Sequence, residues 1–347
     1  MLAELRLVKG GAQGGKSGKG VTCAGGGAGS GWGLEFEFLT TRMVGFLFRR
    51  FLSSLVVLWL AASITFVMMR SIQGGPFESE KGTAAAQAVK LARYKLDGSL
   101  WEQYAAYMGS LARFDLGEST KYLNWSVAEL LGQKLPNSVL LGGVAFLISS
   151  GGGVLLGGAA AVRQNSMVDR AAMFGALAAI SIPTFVTGPA LIAVFALGLG
   201  WLPVGGWGRW EQIVLPAVCL AAPYLAYVAR LMRNSLLDVL KSDFLRTAKA
   251  KGLGTVEAVA RHAVKVAILP VVTFLGPLAA HLLTGSMVVE SVFNLPGAGM
   301  IFVNSIQNRD VFLLGGAVIV YCALLLLFNL IVDLLYGVLD KRIRLNG

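Results

Sequence analysis

Apolar residues in this chain gather in long blocks instead of alternating, and short stretches rich in arginine, lysine, glycine and proline separate the blocks. A helix rises about 1.5 Å per residue, so blocks of this length can cross the roughly 30 Å of hydrocarbon in a bilayer. The pattern predicts six spans, over 51–69, 136–162, 171–200, 213–232, 268–290 and 313–338. Between the first two, residues 71–135 are mixed in character. There Leu100, Tyr104, Tyr107, Met108 and Leu111 fall at helical spacing, and Val127, Leu130 and Leu131 mark a short helix leading into the second span. Glycines at 142, 143, 151–153, 157 and 158 predict close helix approach in the second span. Pro183 and Pro189 predict kinks in the third. The expected fold is an all-α integral membrane protein with six transmembrane helices, a small extracytoplasmic domain after the first and a cytoplasmic loop between the fourth and fifth.

That loop, 243–267, is the longest water-compatible interruption in the second half of the chain. Ser242 and Asp243 can cap a short helix, and Gly252 followed by Gly254 supplies the residue type that ends helices in the left-handed conformation. Thr255 can cap a second helix, in which Val256, Val259, Ala260, Ala263, Val266 and Ala267 form an apolar face while Glu257, Arg261 and Lys265 stay in water. Helix, glycine corner and helix make a rigid, basic knob suited to docking a soluble partner.

Charge sets the orientation. Arg42, Arg49 and Arg50 precede the first span, Arg163 and Arg170 border the second loop, and Arg230, Arg233, Lys241, Arg246, Lys249, Lys251, Arg261 and Lys265 surround the knob. Lys341, Arg342 and Arg344 follow the last span, whereas 201–212 and 291–312 carry one arginine each, Arg209 and Arg309. Basic residues favour the cytoplasmic side, so both termini are expected there. The net charge of +11 would suit nucleic acid in a soluble protein; beside 55% hydrophobic and 14% charged residues it points to a lipid bilayer instead. Residues 1–42 differ from the rest, with twelve glycines and no apolar period, and are expected to be a disordered extension ahead of a natural start at Met43. Gly10, Gly15, Lys16 and Ser17 satisfy the spacing of a phosphate loop, but more glycine follows where the pattern needs a helix. The expected division is 1–42, then 43–135 for the first span and extracytoplasmic domain, then 136–347 for a five-span core.

No catalytic or metal-binding constellation is visible. Cys23, Cys219 and Cys322 form no close pair, and His262 and His281 have no second imidazole at ligand spacing. His281 is the ionisable group deepest in a span, where such groups are costly and often functional, although a neutral histidine bonded to a neighbouring helix would sit there equally well. Glu290 and Asp333 lie toward span ends, within expected reach of water or an arginine. An ion-coupled carrier would need carboxylates at mid-membrane, and a membrane-embedded protease would need a Ser/His or paired Asp arrangement.

Arg246-Thr247-Ala248-Lys249-Ala250-Lys251-Gly252-Leu253, followed by Arg261-His262-Ala263 and Leu269-Pro270-Val271, resembles the coupling loop of binding-protein-dependent ABC importer permeases of the peptide and nickel branch. Supporting segments include Gly75-Pro76-Phe77, Asp115-Leu116-Gly117, Ile182-Pro183-Thr184-Phe185, Thr284 to Glu290, Leu295-Pro296-Gly297 and Asn308-Arg309-Asp310. Within the branch the likeness is to the B-type subunits of oligopeptide permeases. The general importer pattern has Glu-Ala-Ala where Arg246, Thr247 and Ala248 stand, a departure shared by the peptide branch. The resemblance implies alternating access in the inner membrane. It also implies pairing with a homologous C-type permease subunit, two cytoplasmic ATPase subunits that bind ATP and Mg, and an extracytoplasmic peptide-binding protein. No cofactor is implied for this chain, which would be a transport subunit and not an enzyme. Arg246, Thr247, Ala248, Lys249, Lys251, Gly252, Leu253 and Glu257 would contact the ATPase, and Pro183, His281, Ser286 and Glu290 would border the translocation path. Dipeptides, glutathione, nickel and oligosaccharides remain alternative cargoes for the same architecture.

Overall fold

The structure is a computed structural model that describes residues 31–71, 92, 97–122, 124–250, 252 and 254–339. The phosphate-loop match at 10–17, the Gly75-Pro76-Phe77 segment, Lys251, Leu253 and the tail beyond 339 lie outside the described residues. The chain divides into a small unit, Met1–Phe46, and a large one, Leu47–Gly347.

Helix α1 covers Gly31–Ser71, so residues 31–42 are helical where disorder was expected. Phe48–Ser71 is its apolar stretch. Phe51, Leu55, Trp59, Ile64 and Met68 there are exposed, which places a large apolar face where lipid or another chain must cover it. Helix α2, Leu100–Ala112, is the helix anticipated from Leu100 to Leu111. Ser99 and Glu102 form a reciprocal capping box at its start. The Tyr104 ring stands edge-on to Phe66 of α1 at 5.3 Å, and its hydroxyl shares a 2.8 Å hydrogen bond with Ser63.

Helix α3 runs over Val127–Val162, nine residues longer at its start than the predicted span. Val127, Leu130 and Leu131 are thus its first turn, capped by Ser126, and not a separate helix. A π-helical turn, Ile148–Gly152, interrupts it. Four of its glycines make close approaches: a Cβ at Gly142 would overlap the Leu282 carbonyl, one at Gly152 the Leu225 side chain, one at Gly153 the Val228 side chain, and one at Gly157 the Ala229 carbonyl. Gly151 and Gly158 face open space, so the expectation of close packing holds for one face only.

Helices α4, Met167–Ser181, and α5, Thr184–Gly198, meet at an angle of 111°. This is a break, not the kinked span that was predicted. Proline disfavours the helical region for the residue before it, and Ile182 is extended at ψ 120° while Pro183 sits at ψ 146° as the cap of α5. Pro189 lies inside α5, whose C-terminal part, Ile192–Gly198, is π-helical.

Helix α6, Glu211–Leu240, carries Pro216 and Pro223 and continues eight residues past the predicted end. Helix α7 is Asp243–Ala250. Helix α8 occupies 255–267 as Thr255–Ala258, a π-helical turn Val259–Ala263 and Val264–Ala267. Helix α9, Leu269–Leu283, ends before 290, and Met287–Val292 forms a separate helix, α10. Helix α11, Ala298–Gln307, lies inside the predicted loop, and α12, Val311–Leu339, is the last span. Among the described residues four helices are long and apolar enough to cross a membrane, giving up to six spans if the bent pairs α4 with α5 and α8 with α9 each count once. The chain is a multi-pass membrane protein.

The main core joins α3, α6, α8 and α9 around Leu141, Val228, Met232, Leu236, Val271 and Leu278. A second core of Val127, Leu131, Ile301, Leu313 and Ala317 ties α3 to α11 and α12. The end of the bundle bearing Arg163, Arg233 and α7 is the basic pole. At the opposite pole Asp310 caps α12 through the Leu313 amide at 3.1 Å and also accepts from the Ser119 hydroxyl. That contact fixes the segment before α3 to the last helix.

Candidate functional site

Two regions hold the residues singled out from the sequence. The first is the corner at the basic pole. Leu245 of α7 is fully buried, as are Ala258 and Ala263 of α8, so the corner is rooted in the main core. Its outer surface is charged: Arg246 pairs with Asp243 at 3.5 Å, with side chains 74% and 96% exposed, and Arg261 pairs with Glu257 at 3.1 Å. Exposed pairs of this kind add little to stability. Thr247 turns inward to its own helix, its hydroxyl donating to the Asp243 carbonyl at 2.9 Å. Ala248 and Lys249 lie in the α7 backbone.

Gly252 has φ +90°, and a Cβ there would meet nothing within 4 Å. The backbone conformation alone therefore demands glycine. Local details differ from expectation in three places. The Ser242 hydroxyl donates back to the Val239 carbonyl at 2.5 Å and does not cap α7. Gly254, not Thr255, precedes the first helical residue, its carbonyl accepting from the Ala258 amide at 2.9 Å. The buried positions of α8 are Ala258, Val259, Ala263 and Ala267, whereas Ala260 and Val266 are exposed. The π-helical turn lengthens the local repeat, so the inward face recurs every four residues and slips off the 3.6-residue pattern.

Beside the corner, Asp169 of α4 takes two bonds from Arg233 of α6, at 2.5 and 2.7 Å, and a third from the Asn165 amide at 2.9 Å. The side chains are 4% and 19% exposed. This nearly buried, bidentate pair was not anticipated, because the two residues stand 64 positions apart and Arg233 reads in sequence as one more orienting charge.

The second region is a cavity of about 460 Å3 lined by His281, Ser286, Met287, Gly299, Tyr321 and Cys322 among others. His281 is exposed into it and its ring lies 5.5 Å from that of Tyr224. Ser286 caps α10, accepting from the Val289 amide at 3.3 Å. Pro183 does not line this cavity; it stands at the break between α4 and α5.

Glu290 does not line it either. The sequence suggested a carboxylate within reach of water; instead Glu290 is 0% exposed. Its oxygens accept from the Ser138 hydroxyl at 2.7 Å and the Gly299 amide at 2.7 Å. Ser138 in turn accepts from the Ala298 amide at 2.9 Å, and the Asn137 side chain donates to the Pro296 carbonyl at 2.9 Å. A buried carboxylate is stable only when satisfied in this way. Glycine makes room for it: a Cβ at Gly285 would lie 2.8 Å from one carboxylate oxygen, and one at Gly299 would lie 2.7 Å from the other. Gly285 and Gly299 also line the cavity, so they form a thin wall between it and Glu290. Asn137 and Ser138 escaped notice in the sequence. Their signal was two polar side chains at the start of an apolar run, with no neighbour in sequence to satisfy them.

Residues 153–345 match the family model described as binding-protein-dependent transport system inner membrane component. The oligopeptide transport system permease protein OppB of Haemophilus influenzae is 42% identical over 305 residues, covering 87% of this chain and 100% of the relative. OppB of Salmonella typhimurium is likewise 42% identical, with the same coverage. The dipeptide transport system permease protein DppB of Bacillus subtilis is 41% identical over 88% of this chain and 99% of its own length.

Proposed function

Because this chain belongs to the family of binding-protein-dependent transport system inner membrane components, we propose that it is the permease subunit of an ATP-driven importer that passes oligopeptides inward by alternating access. The basic pole faces the cytoplasm together with both termini, in accord with the positive charge gathered there. Arg246, Thr247, Ala248, Lys249, Lys251, Gly252, Leu253 and Glu257 present the corner to a cytoplasmic ATPase subunit. Two such subunits bind ATP and Mg. A homologous C-type permease covers the cavity face, and an extracytoplasmic peptide-binding protein delivers cargo at the opposite pole.

The observation that carries the coupling role is the rooting of the corner. Leu245, Ala258 and Ala263 belong to the same core as Met232 and Leu236 of α6, so a displacement of the corner moves α6 with it. Interfaces packed in this way shift as bodies and do not absorb the movement. The cavity of His281 and Ser286 supplies a stretch of path whose described lining carries no carboxylate. The oligopeptide assignment follows the names of the OppB relatives; the DppB relative favours dipeptides as the second reading.

The test is uptake by the purified complex in liposomes, with loaded binding protein outside and ATP inside, using peptides of two to six residues. Uptake that requires ATP and favours peptides longer than two residues supports the proposal. Preference for dipeptides selects the second reading, and ATP-independent uptake driven by an ion gradient overturns the mechanism.

A further inference from the structure

At the pole opposite the basic corner, a second cavity, of about 580 Å3, opens beside the turn that follows α10. Its volume falls within the roughly 300–1,000 Å3 usual for small-ligand sites. The floor is apolar, made by Leu130, Leu295 and Ile301 among others, and Tyr122 and Trp207 stand at its sides. Its polar groups are Lys134, Asn294 and Asn304. Among the described residues Lys134 makes no ion pair, unlike Arg209, Arg233, Arg246 and Arg261. No Asp or Glu lines the cavity. The pocket therefore offers an ammonium group and two side-chain amides above a leucine floor, and within its lining nothing negative answers the ammonium.

We infer that this pocket receives the C-terminal residue of the peptide cargo, with the carboxylate held by Lys134 and the Asn294 and Asn304 amides and the side chain laid between Trp207 and the leucine floor. The inference rests on the peptide-permease reading above. Position supports it. Gly297 and Met300 line this pocket, while Gly299, between them in sequence, lines the His281 cavity. The segment from Leu295 to Met300, a turn and the start of α11, is thus a partition with a pocket on either side and the Glu290 carboxylate bonded into it. Cargo seated at Lys134 rests against the partition it must pass.

The experiment uses the complete complex in liposomes with saturating loaded binding protein and a free-acid tripeptide ending in leucine. Losing one charge-assisted contact to the cargo should lower the maximal uptake rate of Lys134→Gln by about tenfold. Lys134→Arg should keep most of the rate, and the concentration of loaded binding protein giving half-maximal uptake should not move. Trp207→Ala should slow peptides ending in leucine more than peptides ending in glycine. A Lys134→Gln complex as fast as wild type overturns the proposal. So does a rise in the half-maximal concentration with an intact maximal rate, which would make the pocket a docking point for a carboxylate of the binding protein. A wild-type complex that moves no peptide removes the peptide reading itself, whereas an active wild type matched by Lys134→Gln removes only this inference.

Discussion

The corner at 243–267 and the partition around Glu290 are both built on glycine, yet they are constrained in opposite ways. At the corner Gly252 is needed for its backbone angle, and the space around it is open. At the partition Gly299 has φ outside the positive range and is needed because a carboxylate oxygen and the Met287 backbone fill the place of its side chain. The corner can tolerate many surface residues while keeping its shape, as the proposed contact with a partner would require. The partition tolerates almost none, because the places that side chains would take at Gly285, Gly297 and Gly299 are already filled. One is specified by conformation, the other by packing and hydrogen bonds.

The largest effect should come from the partition. Glu290→Ala leaves the Ser138 hydroxyl and the Gly299 amide without their acceptor, at a cost of about 3 kcal/mol for the pair. A fall in the melting temperature of the purified subunit or complex would register it, and Glu290→Gln, which keeps the volume, should lose less. A melting temperature unchanged in Glu290→Ala would mean that the carboxylate is not what holds Ser138 and Gly299 together. Breaking the Asp169 to Arg233 pair with Asp169→Ala should also cost about 3 kcal/mol, because it strands a guanidinium with little access to water. The same thermal measurement checks it, and it tests whether the basic pole, too, contains a contact of the partition's kind.

Gly252→Val should do something different. The left-handed conformation costs a residue bearing a Cβ about 1–2 kcal/mol, small against the stability of the bundle but enough to turn the corner. Peptide-stimulated ATP hydrolysis and uptake should fall together while membrane insertion and yield stay normal; full transport in this variant would remove the coupling role. The smallest effect on folding is expected from reversing charge at Arg246 and Lys249. The exposed Arg246 to Asp243 pair is worth less than about 1 kcal/mol, so the melting temperature should hold. Recovery of ATPase subunits with the tagged permease should drop, and unchanged recovery would place those side chains away from the partner.

The contrast also explains what could be read from the residue order. Long apolar runs reveal themselves because helix length and hydrocarbon thickness are fixed by geometry, and α6 and α12 begin within two residues of expectation. The corner was legible because capping, glycine and periodicity are local properties. Its inward face was partly misjudged at Ala260 and Val266, since nothing in the sequence announces a π-helical turn. The partition was not legible. Glu290 meets Ser138 across 152 positions, and a glutamate near the end of an apolar run looks the same whether water or a serine satisfies it. Pro183 announced a disturbance of the backbone, but the 111° angle that resulted depends on what α4 and α5 pack against.

The fit between Glu290 and Gly299 bears on how such a chain can change over generations. Any side chain at Gly299 collides with the glutamate, and any shortening of the glutamate abandons the amide at 299, so neither position can drift while the other stays fixed. Altering the glutamate does not free position 299 either, since a Cβ there would lie 2.7 Å from the Met287 Cα, so glycine should persist at 299 in descendants of a common ancestor even where the glutamate is lost.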